Sequence, residues 1–460
     1  MITRQASQMV AALVIARILG PSAFGIISAA TVYVTLSTLI LDQGLAASLV
    51  QRPQLNRRTP GAVASLNIVA GVLLAAATWL LAPIIADFFR RDEMADLLRV
   101  LGLGLIIKSL AITPRAMLLR ELRYRSIAIA DILAGLTGAA VGVIAATGGA
   151  GYWSMAWQVV TTDVVLTLVL LASWRTMPNL AVSELKAVLP FGLRIMGVNS
   201  LAYVSRNADN ILVGRFLGVT SLSYYAMAYR VLVIPVQMIG QTVNQVVFPT
   251  FARFAHDREQ VSRNLLMTME LLAMAAVPPM LFAAVAAPEI VDVVLGDDWG
   301  PAAPILTILA VAGARETVFY VTASVMKAMG AGKLNLRYEL LATVLQLSGI
   351  LIGLQFDVKG VALGYAIAGF LLVPVLLIIQ RRLSGATVRL QLAAILPSLT
   401  GSVAGVAAYS LLRLANMPEA ALLVAGAILF AAVFVAVTWL FHRAALRRTA
   451  AQALGIVGRR

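Results

Sequence analysis

Long apolar stretches separated by short polar turns run the whole length of the chain. A helix that crosses about 30 Å of hydrocarbon needs about 20 mostly apolar residues. Fourteen stretches approach or exceed that length: residues 2–19, 25–50, 61–86, 97–114, 126–147, 151–173, 187–206, 210–250, 265–286, 301–325, 338–355, 361–380, 391–412 and 420–441. Hydrocarbon cannot satisfy backbone polar groups, and these stretches lack the period-two alternation of a barrel strand, so each predicts a helix. The fold class expected is all-α, a polytopic membrane protein of about 14 transmembrane helices. The stretch 210–250 exceeds one crossing, which predicts that part of it forms the turn after the preceding helix. The stretch 2–19 is short and begins at Met1. Its helix is expected to span with little margin, or relatives carry residues before it. No clean small-residue cleavage site follows Leu19-Gly20-Pro21, which argues against a removed leader.

Composition narrows the class further. The 460 residues are 60% hydrophobic and 12% charged, with a mean hydropathy of +0.90, whereas a soluble domain is about one quarter charged. Too little polar surface remains to cover a water-soluble globule, which disfavours a soluble enzyme, a disordered chain and a nucleic-acid-binding protein. With no Cys and two His, there is no thiol nucleophile, no disulfide framework and scarcely any material for a metal cluster. No metal and no catalytic residue is expected.

The formal net charge of +15 looks at first like a binding signal. Lys and Arg, however, accumulate in cytoplasmic loops. With the N-terminus placed in the cytoplasm, most of the 36 basic residues fall in inside segments, as in Arg57-Arg58, Arg120 to Arg125, Arg381-Arg382 and Arg447-Arg448. The acids gather in outer loops instead, as in Asp87, Asp92, Glu93, Asp96 and Glu289, Asp292, Asp297, Asp298. The alternation predicts a multi-pass protein with both termini cytoplasmic. Lys108, Arg194, Arg230 and Arg315 are the basic residues left inside spans.

The chain also echoes itself. Arg17-Ile18-Leu19-Gly20-Pro21-Ser22-Ala23-Phe24 returns as Arg215-Phe216-Leu217-Gly218-Val219-Thr220-Ser221-Leu222, and Gly151-Tyr152-Trp153-Ser154 as Gly360-Val361-Ala362-Leu363. Six spans separate each pair, an even number, so the repeats share one orientation. The organisation expected is an N-lobe over 1–180 (spans 1–6), a parallel C-lobe over 181–385 (spans 7–12), and two extra spans with a basic cytoplasmic tail over 386–460. Two facing six-helix bundles with two appended helices is a transporter architecture.

At this point the residues resemble a known family. Ala16-Arg17-Ile18-Leu19-Gly20-Pro21-Ser22-Ala23-Phe24-Gly25, followed by Leu41-Asp42-Gln43-Gly44-Leu45, looks like the opening of Wzx-like polysaccharide and O-antigen flippases. These form the polysaccharide transporter branch of the multidrug/oligosaccharidyl-lipid/polysaccharide (MOP) exporter superfamily. Asp209 to Gly214, Tyr224-Tyr225-Ala226, Phe248-Pro249-Thr250-Phe251 and Arg120-Glu121-Leu122-Arg123-Tyr124-Arg125 carry the resemblance onward; Val219 departs from it where the first copy has Pro21. The resemblance implies a 14-helix, two-lobed inner-membrane protein that moves a polyprenyl-diphosphate-linked glycan from the cytoplasmic to the outer leaflet. Its expected partners are an anionic lipid-linked glycan, membrane lipids and a glycan polymerase with export machinery, with no nucleic acid.

Polar residues within spans are costly and usually face a bundle interior or cavity. Thr31, Thr35, Thr38 and Asp42 fall within about 60° of one another on a helix. Arg230, Gln237, Gln241 and Asn244 form a second stripe, and Asn199, Tyr203, Arg206 and Asn210 a third. By analogy with the family, the three helices line a central cavity. Arg presents an always-charged fork matched to phosphate oxygens, so Arg230 and Arg206 are expected to bind the head group, with Arg17 and Arg215 at the outer mouth. Hydroxyls and amides on the same faces suit sugar hydroxyls. Local pairing or snorkelling is the alternative for each Arg.

Transport against a gradient needs an energy source. Gly330-Ala331-Gly332-Lys333-Leu334 lacks the first Gly and the terminal hydroxyl of a phosphate-binding loop, so ATP hydrolysis is not expected. Coupling to H+ or Na+ through Asp42, Asp163 or Asp209 takes its place, with a polar tie to a neighbouring helix as the other reading of Asp163. No further cofactor is expected. Asp297-Asp298 reads as a loop opening the tenth span rather than as a glycosyltransferase metal motif, because every outer loop is short. Two rivals stand beside the flippase: a lipid II-type or small-molecule exporter of the same superfamily, and a non-transporting scaffold of a glycan-assembly complex, in which changing the polar stripes would be silent.

Overall fold

A computed structural model describes the backbone of residues 2–457 apart from positions 43, 53, 54, 176 and 180; side chains are described for most of these, with residues 2–8, 231–248 and 448–457 among the exceptions. Every regular element among the described residues is helical. The chain forms two compact units, residues 1–223 and 224–460.

The first unit holds α1 (Ile2–Asp42), α2 (Leu45–Gln51), α3 (Thr59–Phe89), α4 (Glu93–Arg120), α5 (Tyr124–Thr147), α6 (Trp153–Ser173), α7 (Val182–Arg206), α8 (Ala208–Phe216) and the start of α9 (Gly218–Arg253). The second continues α9 and adds α10 (Arg258–Val285), α11 (Ala287–Leu295), α12 (Ala302–Phe319), α13 (Val321–Ala328), α14 (Gly332–Gly353), α15 (Asp357–Leu371), α16 (Val373–Ser384), α17 (Val388–Leu412) and α18 (Glu419–Val457). The fourteen apolar stretches all fall on these helices. α1 supplies two of them, because Gly20 breaks it at φ 72°, ψ 174°, a region that L side chains rarely adopt. The stretch 25–50 is shorter as a helix than the hydropathy predicts: it ends at Asp42, and Gly44 (φ 63°) turns the chain into the separate α2. The guanidinium of Arg120 donates to the carbonyls of Leu49 and Arg52 at the end of α2, at 2.7 and 2.6 Å. The over-long 210–250 divides as expected, into α8 and α9 around Gly218 at φ 86°.

Nine helical segments among the described residues are long and apolar enough to cross a membrane, and Met9–Asp42, Ala302–Ala328 and Gly332–Ser384 each contain more than one α-helical stretch. Their outward faces are apolar. On α3, Val69, Val72, Leu73, Leu80 and Ile84 are exposed, Leu80 by 74%, while Gly71, Ala75, Thr78, Ala82 and Ala86 on the other side are buried. Such faces are stable only against lipid, and the chain is a multi-pass membrane protein.

Small residues bring the helices together, since hydrophobic burial gives little drive between helices already in lipid. In the α3–α4 hairpin, a Cβ on Gly71 would sit 2.7 Å from the Ser109 Cβ, and one on Gly102 would sit 2.9 Å from the Thr78 methyl. α14 and α15 pack more closely still. Added carbons on Gly349 and Gly364 would each strike the other's carbonyl, and Gly353 and Gly360 repeat the arrangement one turn on. Ion pairs on buried carboxylates add fixed points. Arg115 holds Asp131 through two bonds of 3.0 and 3.1 Å, and Arg413 holds Glu289 at 2.6 and 2.7 Å.

Candidate functional site

The second half of α1 carries the threonine stripe. Thr31 and Thr38 donate to the carbonyls of Ile27 and Val34, at 2.7 and 2.8 Å. Back-bonding of this kind satisfies a hydroxyl inside a membrane helix while leaving its oxygen able to accept. Thr31 is exposed, and Thr35, Thr38 and Asp42 are half-buried. Tyr203 on α7 reaches this helix: its hydroxyl donates to the Val32 carbonyl at 3.2 Å and meets the Thr35 side chain. Two of the three predicted stripes therefore come together within the first unit.

The third stripe is not one continuous helix face. α7 ends at Arg206 and Asn207 (φ −112°, ψ 13°) turns the chain, so Asn210 belongs to α8. Asn207 ties the break, donating to the Tyr203 carbonyl at 3.0 Å and accepting from Asn210 at 3.4 Å. Asn199 and Arg206 are exposed, and the Arg206 Nε donates to the Ala202 carbonyl at 3.2 Å. Arg17 is exposed just before the Gly20 break, and Arg230 is half-buried on α9. Gln237, Gln241 and Asn244 also lie on α9, but their side chains are outside the described residues.

Arg215 occupies a more definite setting. It stacks over the ring of Phe88, 5.2 Å from guanidinium carbon to centroid, and lines a cavity of about 300 Å³ with Arg90, Arg91 and the first residues of α9. A second cavity of about 290 Å³ adjoins it, walled by Leu36, Ile84, Ile85, Phe88 and Tyr203. Phe89 lines both. Arg90 and Arg91 are functional candidates not legible in the sequence, because the charge of a loop residue speaks first to topology. The available signal was that two adjacent Arg in an outer loop run against the charge rule that assigned them there.

The three candidate coupling acids sit in different surroundings. Asp163, buried on α6, pairs with Lys108 Nζ of α4 at 3.3 Å. Asp209 is buried in the first turn of α8 and accepts from the Asn210 N–H at 2.8 Å. The Asp42 carboxylate lies near the Ala46 N–H at the start of α2. Among the described residues no group of three His, Asp or Glu is placed to hold a metal ion. In the second unit Glu316 accepts from the Tyr365 hydroxyl at 3.0 Å, while its neighbour Arg315 packs against Gly369.

Residues 14–304 match the family described as polysaccharide biosynthesis protein, a match that takes in most of the chain and every predicted site residue. The chain belongs to this family. Among its curated relatives is the lipopolysaccharide biosynthesis protein WzxC of Escherichia coli (strain K12), 25% identical over 361 residues, covering 76% of this chain and 73% of that one. The succinoglycan biosynthesis transport protein ExoT of Rhizobium meliloti (strain 1021) is 26% identical over 333 residues, covering 72% and 67%. Among solved structures, the lipid II flippase MurJ in an inward closed conformation superposes with a TM-score of 0.74 at 14% identity, covering 97% of this chain and 99% of its own. An inward-facing MATE-family transporter of the MOP superfamily superposes with a TM-score of 0.67 at 18% identity, covering 83% and 95%. This polysaccharide biosynthesis family member thus has the helical fold of those transporters over almost its whole length.

Proposed function

We propose that the protein is a flippase that moves a polyprenyl-diphosphate-linked oligosaccharide, a polysaccharide repeat unit, from the cytoplasmic to the outer leaflet of the bacterial inner membrane by alternating access. It does no covalent chemistry, and both termini are cytoplasmic. Polymerase and export machinery take up the product. The repeats are parallel, with the N-lobe over 1–180 and the C-lobe over 181–385; that Gly20 and Gly218, partners in the sequence echo, both have a positive φ supports this.

The observation that carries the reading is the meeting of Tyr203 with the Thr31–Thr38 face of α1. Hydroxyls clustered on helices otherwise built to face lipid serve a polar passenger, since membrane packing itself needs only small residues and van der Waals contact. Arg206 and Arg230 give that passenger's phosphates cationic partners, with Arg17 and Arg215 toward the outer end and Asn199, Asn210, Gln237, Gln241 and Asn244 contacting sugars.

Ion coupling follows from the acids. A proton taken up by the Asp163 carboxylate removes the attraction that holds Lys108, and Asp42 and Asp209 offer further sites for H+ or Na+. Flipping by purified protein in vesicles is therefore expected to respond to a pH or Na+ gradient; indifference to both removes the coupling.

The deciding experiment is deletion of the gene with analysis of lipid-linked glycan. The expected result is repeat unit accumulating on the cytoplasmic leaflet, with rescue by the wild type and loss of rescue by Arg230→Ala in protein that still inserts. Accumulation on the outer leaflet, or no accumulation, overturns the flippase reading, and full rescue by Arg230→Ala removes Arg230 from the site.

A further inference from the structure

The two adjoining cavities of the first unit form a place whose chemistry changes abruptly from charged to apolar. Arg90, Arg91 and Arg215 surround the first cavity, and none of them forms an ion pair with a carboxylate among the described residues. The acids of the same turn, Asp87, Asp92 and Glu93, are exposed and are not part of its wall. The wall also includes Gly218, Val219 and Thr220, the first residues of the 36-residue α9, whose N–H groups have no acceptor within the helix. Arg90 itself stands in the left-handed region, at φ 56° and ψ 43°, capping α3. Glycine is the usual occupant of such a position; the side chain placed there instead reaches the cavity.

The second cavity is apolar, and aromatic rings join the two. Phe89 lines both, and Phe88 lines the apolar one while its outer ring face lies under the Arg215 guanidinium. α3 is 31 residues long, about 46 Å as a helix, so this double cavity lies at the opposite end of α3 from the basic pair Arg57-Arg58. By the charge alternation that end faces outward.

We propose that the pair of cavities is a binding subsite for a prenyl diphosphate, with the phosphates among Arg90, Arg91 and Arg215 and the first isoprenyl units against Leu36, Ile84 and Ile85. The proposal rests on the flippase reading and deepens it. The subsite holds the carrier lipid at its diphosphate after the glycan has crossed. About 300 Å³ is at the small end of ligand sites, with room for a diphosphate and none for a glycan of several sugars, so recognition here is independent of the sugar sequence. Guanidinium forks match phosphate oxygens in pairs, and the ring between the cavities marks the junction of head and tail.

The test uses purified full-length protein in phosphatidylcholine nanodiscs, with farnesyl diphosphate and inorganic pyrophosphate as probes. Farnesyl diphosphate is expected to bind saturably, to be displaced by pyrophosphate, and to bind about tenfold or more tightly than pyrophosphate because of its buried apolar carbons. Each Arg→Gln change at 90, 91 or 215 is expected to weaken both probes about tenfold, the worth of one charge-assisted hydrogen bond. Arg99→Gln, which alters a half-buried cation paired with Asp96 and outside the cavity wall, is expected to change neither. Ile85→Gln is expected to abolish the preference for the farnesyl probe and keep pyrophosphate binding, which also shows that the variant is folded. Unchanged binding in the triple Arg90→Gln/Arg91→Gln/Arg215→Gln variant overturns the proposal. So does equal displacement of the farnesyl probe by phosphatidylglycerol in the disc, which identifies a general lipid-headgroup site. The flipping assay separates the two readings. Wild-type protein that binds the probes here but moves no lipid-linked glycan refutes the flippase and leaves the subsite; protein that flips glycan while the triple variant binds and flips as well as wild type refutes the subsite alone.

Discussion

Breaking the Arg413–Glu289 pair is expected to destabilise the second unit by more than the loss of its visible contacts. Glu289 on α11 is 6% exposed, and both of its oxygens accept from Arg413 just past the end of α17, at 2.6 and 2.7 Å. The guanidinium also lies 6.0 Å from the ring centre of buried Tyr409. Arg413→Gln removes two charge-assisted bonds, each worth about 1.5–3 kcal/mol. It also leaves a buried carboxylate unpaired, for which about 3–5 kcal/mol is typical when one partner of a buried pair is removed. The Arg413 side chain is 42% exposed, so solvent screens part of the attraction and the lower end, about 3 kcal/mol, applies. Glu289→Gln on its own strands a more exposed cation and is expected to cost less, about 1–2 kcal/mol. The double variant, with neither charge, is expected to lie near Glu289→Gln, giving a coupling of about 3 kcal/mol, or roughly 150-fold in the unfolding equilibrium. Equilibrium unfolding in SDS–detergent mixed micelles reads all four corners of the cycle. Additive effects, with coupling below about 0.5 kcal/mol, refute the reasoning and make the pair an ordinary surface contact.

Other perturbations test the packing and the site. A Cβ on Gly25 would run into the Val219 carbonyl, which is backbone and cannot swing aside, and Val219 lines the basic cavity. Gly25→Ala is thus expected to cost about 1–3 kcal/mol through overpacking and to slow flipping in reconstituted vesicles; a rate and unfolding midpoint equal to wild type contradict this. Gly364→Val drives a branched side chain into the Gly349 backbone and is expected to lower the melting temperature in detergent or prevent recovery of monodisperse protein, whereas Leu363→Val, on the exposed face of the same helix, is expected to do neither. Lys108→Met leaves Asp163, 8% exposed at its side chain, without its cation, and should destabilise by about 3 kcal/mol. The double Lys108→Met/Asp163→Asn should recover much of that loss, and its flipping should no longer respond to a pH gradient; retained gradient dependence assigns coupling elsewhere.

The features legible in the sequence were those set by local physics. Hydropathy length gave the helices, and the two echoed Arg-x-x-Gly turns turned out to share a positive φ at Gly20 and Gly218, because a helix break that needs a left-handed residue leaves a glycine in the sequence. The end of the second span was missed because Asp42-Gln43-Gly44 is a short interruption in a long apolar stretch, and hydropathy averaging smooths over it. What joins distant segments was less legible. Tyr203 and Thr35 lay on separately predicted stripes, and helical periodicity fixes a face without saying which helix meets it. Lys108–Asp163 and Arg115–Asp131 were likewise visible only as isolated charges; each pairing depends on how α4, α5 and α6 stack.

Those pairings suggest how a membrane transporter's charges can be sorted. A buried charge must be compensated within the protein, and Asp131, Asp163 and Glu289 each have a basic partner close enough to fix two helices against one another. Such charges specify one arrangement of the helices. Arg90, Arg91 and Arg215 differ in kind. They converge on a cavity without a carboxylate in its wall, beside a helix start and next to an apolar recess. Mutual repulsion makes that convergence unfavourable in the empty protein, and an anion relieves it. For loops such as Arg57-Arg58 the charge rule accounts for the basic residues. Arg90 and Arg91 fall in a segment that the charge alternation expects outside, where the rule disfavours basic residues; the proposed diphosphate gives them a role there.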